Sequence, residues 1–484
     1  MSGQDQNYSR QANSTRNKDR DIGIPQMYYC HNVVPTDAGI SSIGYLQLAA
    51  PPADTDNTFN DTFTLRDDSD NVAIFNSTTS GRNYVLPSVG SGWLRTTDAA
   101  PAAGYEVSVA HVNGVSYIFF GKSGCYTYNF GTNTLDPVTL TGLAPANIIG
   151  ICASSGYLVA WTGNTVFWSS NIDPTDFTPS LVTGAGSQGV QESKGTIVTC
   201  LPQNNGFIVY TKKNAVAAQF TNNAQFPFSF REVIGAGGLS SASLVAYDGN
   251  STNHYAYTTA GLQEISMQNS SVIFPQVTDF LAGSQFEDFD ETTNLFTQVT
   301  LGSPMRKKIT LIGNRYLILS YGISTLTHAL LYDFALARWG KLKIDHADCF
   351  DFTYPSSVVI ETPRRSVAMV QANGTVYATV MAYDTSISYG VVVLGKYQMD
   401  RNRFITMQEA HLESIRANST ITVSWLTTLD GVNATPSAAV LATSVGTYRR
   451  YHSNISGINH SLVVSGGFNL HSLELKFTDG GAVR

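Results

Sequence analysis

The sequence predicts an all-β protein: a β-propeller of about six irregular blades, with a β-sandwich or sheet domain appended at its C-terminal end. Three observations lead there. Hydrophobic residues make up 43% of the chain and charged residues only 13%, so Ser, Thr, Asn and Gly carry the polarity. That composition suits strands and turns better than exposed helices, whose wet faces are built from Glu, Lys and Arg. Short apolar runs punctuated by Gly, Asn, Asp and Pro continue from Met27 to the C-terminus, the pattern of strands separated by turns. Runs of one form also recur roughly every 40 to 60 residues, the pitch of a four-stranded propeller blade.

Residues 1 to 24 are polar, lack hydrophobic periodicity and end at Ile24-Pro25, so they read as an extended arm able to lie on a neighbouring subunit. Residues 25–400 hold the recurring unit. Asn113-Gly114 precedes Val115-Ser116-Tyr117-Ile118-Phe119-Phe120, Gly156 precedes Tyr157-Leu158-Val159-Ala160-Trp161, and Asn205-Gly206 precedes Phe207-Ile208-Val209-Tyr210. The form returns at His254 before Tyr255-Ala256-Tyr257, at Gly313-Asn314 before Arg315 to Leu319, and at Arg365 before Ser366 to Val370. A lone hairpin is marginal in water, whereas stacked blades bury both faces of every sheet, and this favours a closed propeller over scattered hairpins. Helix is expected to be sparse, with Tyr332 to Trp339 and Gln408 to Ser414 as the stretches that tolerate it. Residues 401–484 change to longer strands, Ile421 to Trp425, Ser461 to Val464 and Leu473 to Phe477. The last of these alternates apolar and polar side chains, as a half-exposed antiparallel strand requires.

The net charge of −7 argues against a free-standing DNA binder, whose affinity comes from Lys and Arg neutralising phosphates. A neutral or acidic channel wall would instead let DNA slide. No run of about 18 apolar residues suggests a membrane span, and the polar start carries no apolar core of an export signal. Cys30, Cys125, Cys152, Cys200 and Cys349 are odd in number and widely spaced, so they read as buried free thiols. Asn-x-Ser/Thr triplets recur from Asn7 to Asn459, as chance produces in a chain rich in these residues, and no glycan is expected on them.

The search for chemistry finds no catalytic, cofactor-binding or metal-ligating set, and the chain reads as a non-enzyme without cofactors. Gly184-Ala185-Gly186-Ser187 and Gly235-Ala236-Gly237-Gly238 lack the Gly-Lys-Ser/Thr of a phosphate loop and read as equivalent loops between blades. The nine histidines are scattered. His346 and Asp348 would share a strand face but lack a third ligand. The acidic Glu287-Asp288-Phe289-Asp290-Glu291 reads as a solvated loop, although a polysaccharide hydrolase would need such carboxylates. Basic residues cluster at Lys212-Lys213 and Arg306-Lys307-Lys308, exposed turns or interface residues on one view and DNA contacts in a channel on another.

The stretch from Gly156 to Leu239 is the most distinctive. It holds Leu158-Val159-Ala160-Trp161, Val166-Phe167-Trp168-Ser169-Ser170, and Asp173-Pro174-Thr175-Asp176-Phe177-Thr178-Pro179. Gly184-Ala185-Gly186, Gly206 to Tyr210, Asn214-Ala215-Val216, Phe230-Arg231-Glu232 and Gly235-Ala236-Gly237-Gly238 follow in order. As a set these resemble the tail nozzle family of short-tailed bacteriophages (podoviruses), the tail tubular protein B or packaged-DNA stabilisation type. The C-terminal Leu470 to Phe477 with Gly480-Gly481 is similar to the closing strand of those proteins. Read from the residues alone, Trp168 ends a core strand, Asp173-Pro174 forms an Asx turn, and Phe177 packs its loop back on the blade. The resemblance implies a homohexameric ring below the tail adaptor protein, beside a tail needle or fibres, assembled in the bacterial cytoplasm and carried in the virion. It would extend the DNA channel, hold packaged viral DNA without reading its sequence, and pass it at ejection. Six copies at −7 each would carry −42. The rival expectation is a receptor- or glycan-binding propeller, since exposed aromatics can stack on sugars.

Overall fold

In a computed structural model the chain forms a closed seven-bladed β-propeller with a smaller β unit at its rim. The structure describes residues 27–482 except 37–38, 53–57, 70, 88–91, 97–105, 224, 248–251, 284, 291–294, 301–304, 314, 324, 354–364, 382–389, 398–402, 415–420, 429–433, 437–439, 443–447 and 458. The proposed arm, residues 1–24, lies outside them.

Each blade is a four-stranded antiparallel meander numbered from the propeller axis outward. Blade 1 runs Phe59–Arg66, Val72–Thr78, Asn83–Leu86 and Leu94–Arg95, and blade 2 spans Val107–Val112 to Thr134–Val138. Blade 3 comprises Gly150–Ser154, Tyr157–Trp161, Thr165–Trp168 and Gly186–Gly189; blade 4 comprises Ile197–Gln203, Gly206–Thr211, Ala215–Phe220 and Phe228–Glu232. Blade 5 spans Val245–Ala246 to Ser270–Val272, and blade 6 spans Arg306–Ile312 to Arg338–His346. Blade 7 takes three strands from Asp348–Thr353, Arg365–Val370 and Val376–Met381, and its fourth from Ile40–Ala49 near the N-terminus, with Ile43 opposite Met381. This pairing closes the ring by joining the two ends of the propeller's chain.

The six recurring runs in the sequence are the second strands of blades 2 to 7. A second strand is covered on both faces by neighbouring blades, so it reads as a continuous apolar run rather than an alternating one. Gly206–Thr211 and Tyr157–Trp161 are buried at every position. The ring therefore has one blade more than the runs indicated: Val72–Thr78 of blade 1 breaks the form with Asn76, Ser77 and Thr78.

Every pair of adjacent blades shares an apolar core. Phe75, Val85, Ile118 and Phe120 join blades 1 and 2, while Trp161, Trp168, Phe207 and Phe228 join blades 3 and 4. Phe59, Tyr84, Trp93, Phe350 and Ala368 join blade 7 back to blade 1. At about 25 cal/mol per Å² of apolar surface removed from water, these seven seams supply the main drive to close the ring, because a blade left unstacked exposes both faces.

Strands Met27–His31, Gly390–Tyr397, Asn459–Gly466, Ile421–Thr428, Ala434–Pro436 and Val440–Ala442 form one sheet of the smaller unit; Tyr448–Gly457, Arg403–Ser414 and Asn469–Ala482 are paired in a second group. The unit thus draws strands from both sides of residue 400 and from the N-terminal segment. It meets blade 7 where Ile40 faces Leu470 and where the Ser42 hydroxyl donates to the Phe468 carbonyl at 3.1 Å. Helix is sparse, as predicted, but in a different place. Tyr332 to Trp339 spans two strand ends and the turn 334–337 between them, and Gln408 to Ser414 is strand, while the one α-helix among the described residues, Pro275–Ala282, links blade 5 to blade 6 with proline in its first turn.

Candidate functional site

The residues that carry the family resemblance come together on blades 3 and 4. The loop between the third and fourth strands of blade 3, residues 169–185, is tied down throughout. Trp168 is buried and its Nε1 donates to the Gly184 carbonyl at 2.7 Å. A Cβ at Gly186 would come within 3.2 Å of the Trp168 ring, so the indole lies flat against that backbone. Ser169 Oγ accepts the Leu158 N–H at 3.0 Å. Asp173 Oδ1 accepts from the Thr175 N–H at 2.9 Å and from its hydroxyl at 2.8 Å, an Asx turn that starts at Asp173-Pro174. Asp176 Oδ1 accepts the Thr178 N–H at 2.9 Å, and hydrogen bonds from Thr178 hold this carboxyl below the usual carboxylate range. Phe177 then drops into the seam between blades 2 and 3, and its N–H donates to the Thr141 carbonyl at 2.8 Å. The loop is a clamp across two blades.

The two Gly-Ala-Gly pieces are not equivalent loops between blades. Gly184 and Gly186 sit within blade 3, whereas Gly235 to Gly238 form the crossover from blade 4 to blade 5. Their shared composition has different causes. Gly184 accepts the indole N–H, while Gly237 and Gly238 pass so close to other strands that a Cβ would lie 2.6 Å from Thr258 Oγ1 and 2.1 Å from the Lys212 carbonyl, respectively. Gln263 spans the crossover, accepting the Gly237 N–H and donating to the Gly235 carbonyl, both at 2.9 Å.

Of the basic residues, Lys212 and Lys213 occupy the exposed turn between the second and third strands of blade 4. Arg306, Lys307 and Lys308 lie on the innermost strand of blade 6, and each holds a different neighbour. Arg306 donates to Asn60 Oδ1 of blade 1 at 2.9 Å. Lys307 stands over the Tyr257 ring of blade 5 at 4.5 Å, a cation–π contact. Lys308 Nζ lies 2.8 Å from Asp61 of blade 1 and 3.0 Å from Asp348 of blade 7. Burial pulls the Lys308 ammonium down, but Asp348 and Asp61 together outweigh it and raise its pKa, so it stays charged. Asp348 also accepts the Thr62 N–H at 2.8 Å. Burial raises its carboxyl, against the pull of Lys308. This triplet is committed to joining blades.

The remaining titratable candidates also serve the fold. His254 Nδ1 lies 2.8 Å from the Tyr210 hydroxyl and Nε2 lies 2.9 Å from the Pro202 carbonyl; with Nε2 donating, the ring bridges blades 4 and 5 as a neutral imidazole, and burial lowers its pKa to about 4. His346 Nε2 meets Ser320 Oγ at 2.8 Å, while Asp348 turns to Lys308, so the two do not converge. Among the described residues no group of three His, Cys, Asp or Glu is placed to hold a metal. Of the acidic segment, Glu287 to Asp290 are not a solvated loop: Gln285–Asp290 is a strand paired with Leu295–Thr300, and Asp288 reaches Lys343 Nζ at 2.9 Å, while Glu291 lies outside the described residues. None of the five cysteines forms a disulfide, and burial pushes Cys125 and Cys349 up to about 12.

Sequence reasoning missed the Lys308–Asp61–Asp348 cluster and the His254 bridge. Their partners lie far apart in the chain, and no local spacing marks them.

No protein-family model matches the chain, and no curated protein does. Among solved structures it is similar to the WD40 beta propeller domain of Doa1, at 11% identity over 70% of this chain and 97% of that one with a TM-score of 0.41. It is also similar to YCF48 from Cyanidioschyzon merolae, at 12% identity over 69% of this chain and 98% of that one with a TM-score of 0.42.

Proposed function

We propose that this chain is the ring-forming nozzle subunit of a short-tailed bacteriophage tail, which extends the DNA channel below the adaptor and retains packaged DNA until ejection. The observation that carries the reading is the resembling stretch Gly156 to Leu239, which lies in the adjoining blades 3 and 4, with Trp168 in the seam between them and Phe177 tying blade 3 to blade 2. The residues of that stretch with marked geometry hold the fold together, which suits a part whose work is mechanical.

In this reading the DNA path runs between copies. Within one propeller the innermost strands of blades 6 and 1 approach closely enough for Lys308 to touch Asp61 and for Arg306 to touch Asn60, so side chains occupy the axial space there. A wall of net negative charge formed by several copies would let the duplex slide. Mass photometry of the purified chain, alone and with the tail adaptor of the same virus, tests the proposal. A dominant species six times the 52.3 kDa subunit is the expected result. A lone subunit under both conditions would contradict it, and saturable binding on a glycan array would favour a receptor-binding propeller instead.

A further inference from the structure

We infer that residues 16–25 of one copy dock on the outer rim of blades 3 to 5 of a neighbouring copy, an apolar segment with a basic flank meeting an apolar surface edged with carboxylates. The inference rests on the ring reading above and names the contact that would hold the ring.

The rim is where this chain leaves large apolar side chains in water. Ile172, Leu181, Val182, Phe226 and Ile234 are 74%, 71%, 85%, 60% and 76% exposed, and no other large hydrophobic side chain among the described residues reaches one half. The first three belong to the loop between the third and fourth strands of blade 3, and Phe226 to the corresponding loop of blade 4. Ile234 lies at the corresponding turn of blade 5, where its N–H donates to the Gln268 carbonyl at 3.4 Å and its carbonyl accepts the Ser270 N–H at 3.0 Å. The three corners are joined. The Trp168 and Phe228 rings at the base of the first two loops stand 5.7 Å apart, and Arg231 of blade 4 donates to the Met267 carbonyl of the blade 5 turn at 3.3 Å. Single exposed aliphatics are ordinary on a soluble protein, but a group at adjoining corners marks a contact surface. The Asn171 N–H donates to the Thr183 carbonyl at 3.0 Å, which brings the backbone at Ile172 beside that at Val182. The blade 3 loop is thus held in shape before it meets anything, which lowers the entropy cost of docking. The charged residues of the first two loops, Asp173 and Asp176, are both acidic.

The occupant follows from charge and from where the N-terminal segment is rooted. Arg16, Lys18 and Arg20 outnumber Asp19 and Asp21 and lead into Ile22-Gly23-Ile24-Pro25, so the segment offers cations beside branched aliphatics, the complement of the rim. It runs into Met27–His31, which pairs with Gly390–Tyr397 in the smaller unit, and Val33 then faces Lys341 on the outermost strand of blade 6. The root is therefore at the outer edge of blades 6 and 7. In a ring of seven, blade 3 stands three blades from either, the greatest separation such a ring has. Four strands on each side of the axis, about 4.8 Å apart, make the propeller on the order of 40 Å across. Ile22, in contrast, precedes Met27 by five residues and reaches at most about 18 Å from it. Ile22 and Ile24 therefore cannot cover the rim of their own propeller. They can cover that of a copy whose blade 3 side abuts this one's smaller unit, an arrangement that a head-to-tail ring repeats at every contact. Because segment and rim are different surfaces, the contact is heterologous, which closes into a ring or runs on as a filament, in contrast to an isologous dimer that stops at two.

Disulfide trapping in the full chain, with the adaptor present, tests this. Chains carrying Ile24→Cys are mixed with chains carrying Val182→Cys, oxidised with copper phenanthroline and run on a non-reducing gel. A covalent two-chain band should form from this mixture and not from Ile24→Cys mixed with Val72→Cys, which alters a position on blade 1 that is 48% exposed. In sedimentation velocity, Ile22→Asp/Ile24→Asp should need at least about tenfold more protein to form the ring, as expected when apolar anchors are lost from a contact. Its melting temperature should stay at the wild-type value, since both positions precede the first strand. Three results would overturn the docking while leaving the ring reading standing: a wild-type ring whose Ile24→Cys and Val182→Cys chains do not cross-link, equal cross-linking to Val72→Cys, or ring formation by Ile22→Asp/Ile24→Asp at wild-type concentrations. A wild-type chain that stays a lone subunit with the adaptor present would overturn both.

Discussion

Replacing Lys308 by methionine removes the one ammonium that sits between Asp61 and Asp348 and leaves two carboxylates facing each other where three blades meet. The side chains of Lys308, Asp348 and Asp61 are 15%, 5% and 29% exposed. Removing one partner of a buried ion pair costs about 3–5 kcal/mol. Solvent at Asp61 screens part of that here, so the expected loss lies near about 3 kcal/mol at neutral pH. The loss should depend on pH in a defined direction. Burial already raises the Asp348 carboxyl, and without Lys308 it rises further, so the folded variant takes up a proton that the unfolded chain releases. A carboxyl with a raised folded pKa costs no stability below its unfolded value, and the cost accumulates from there up to the folded value. The penalty should therefore grow by up to about 1.4 kcal/mol per pH unit between the unfolded carboxylate value of about 4 and the new folded value, level off above that value, and shrink as the pH falls towards 5. Urea unfolding from pH 5 to pH 8 measures this, with Lys308→Met/Asp348→Asn as the control that restores most of the lost stability. A variant within about 0.5 kcal/mol of wild type at every pH would refute the reasoning, because that is the ordinary effect of a surface substitution.

Phe177→Ala empties the seam between blades 2 and 3 and should cost about 3–5 kcal/mol in urea unfolding; it should also speed hydrogen exchange at the Thr141 and Phe177 amides, which now bond across that seam. Trp168→Phe keeps the apolar bulk but loses the bond to Gly184, so about 1 kcal/mol is expected, with faster exchange confined to residues 169–185. His254 is neutral in the fold, with a pKa of about 4 against an ordinary 6.5. Its stabilising share is therefore whole above pH 6.5 and is lost as the pH falls through 4, about 3 kcal/mol in all. Thermal unfolding from pH 7 to pH 4 should show this slope, and His254→Gln should flatten it.

The strand content was legible because the second strand of each blade is covered twice and cannot hide its apolar run. Tyr157–Trp161 and Val115–Phe120 stand in the sequence with the limits they have in the structure. Blade 1 escaped because Val72–Thr78 ends in Asn, Ser and Thr, which are buried through hydrogen bonds such as that from Asn76 Nδ2 to Thr62 Oγ1 at 2.8 Å. The fourth strand of blade 7 escaped because closure takes it from Ile40–Ala49, more than 300 residues before its partner Val376–Met381. Local reading did better on the blade 3 loop. An Asx turn and an aromatic wedge are short-range events, and Asp173 and Phe177 perform them. It failed on Arg306-Lys307-Lys308, where a basic run on an inner strand resembles an exposed one until the partners on blades 1, 5 and 7 are placed.

The proposal that this chain forms a DNA-conducting ring is tested most directly by a single-particle electron reconstruction of the purified assembly with its adaptor. The expected map shows six seven-bladed subunits around a lumen wide enough for a DNA duplex, with the lumen outside every individual propeller. A particle without a central hole, or a lumen lined mainly by lysine and arginine, would contradict it.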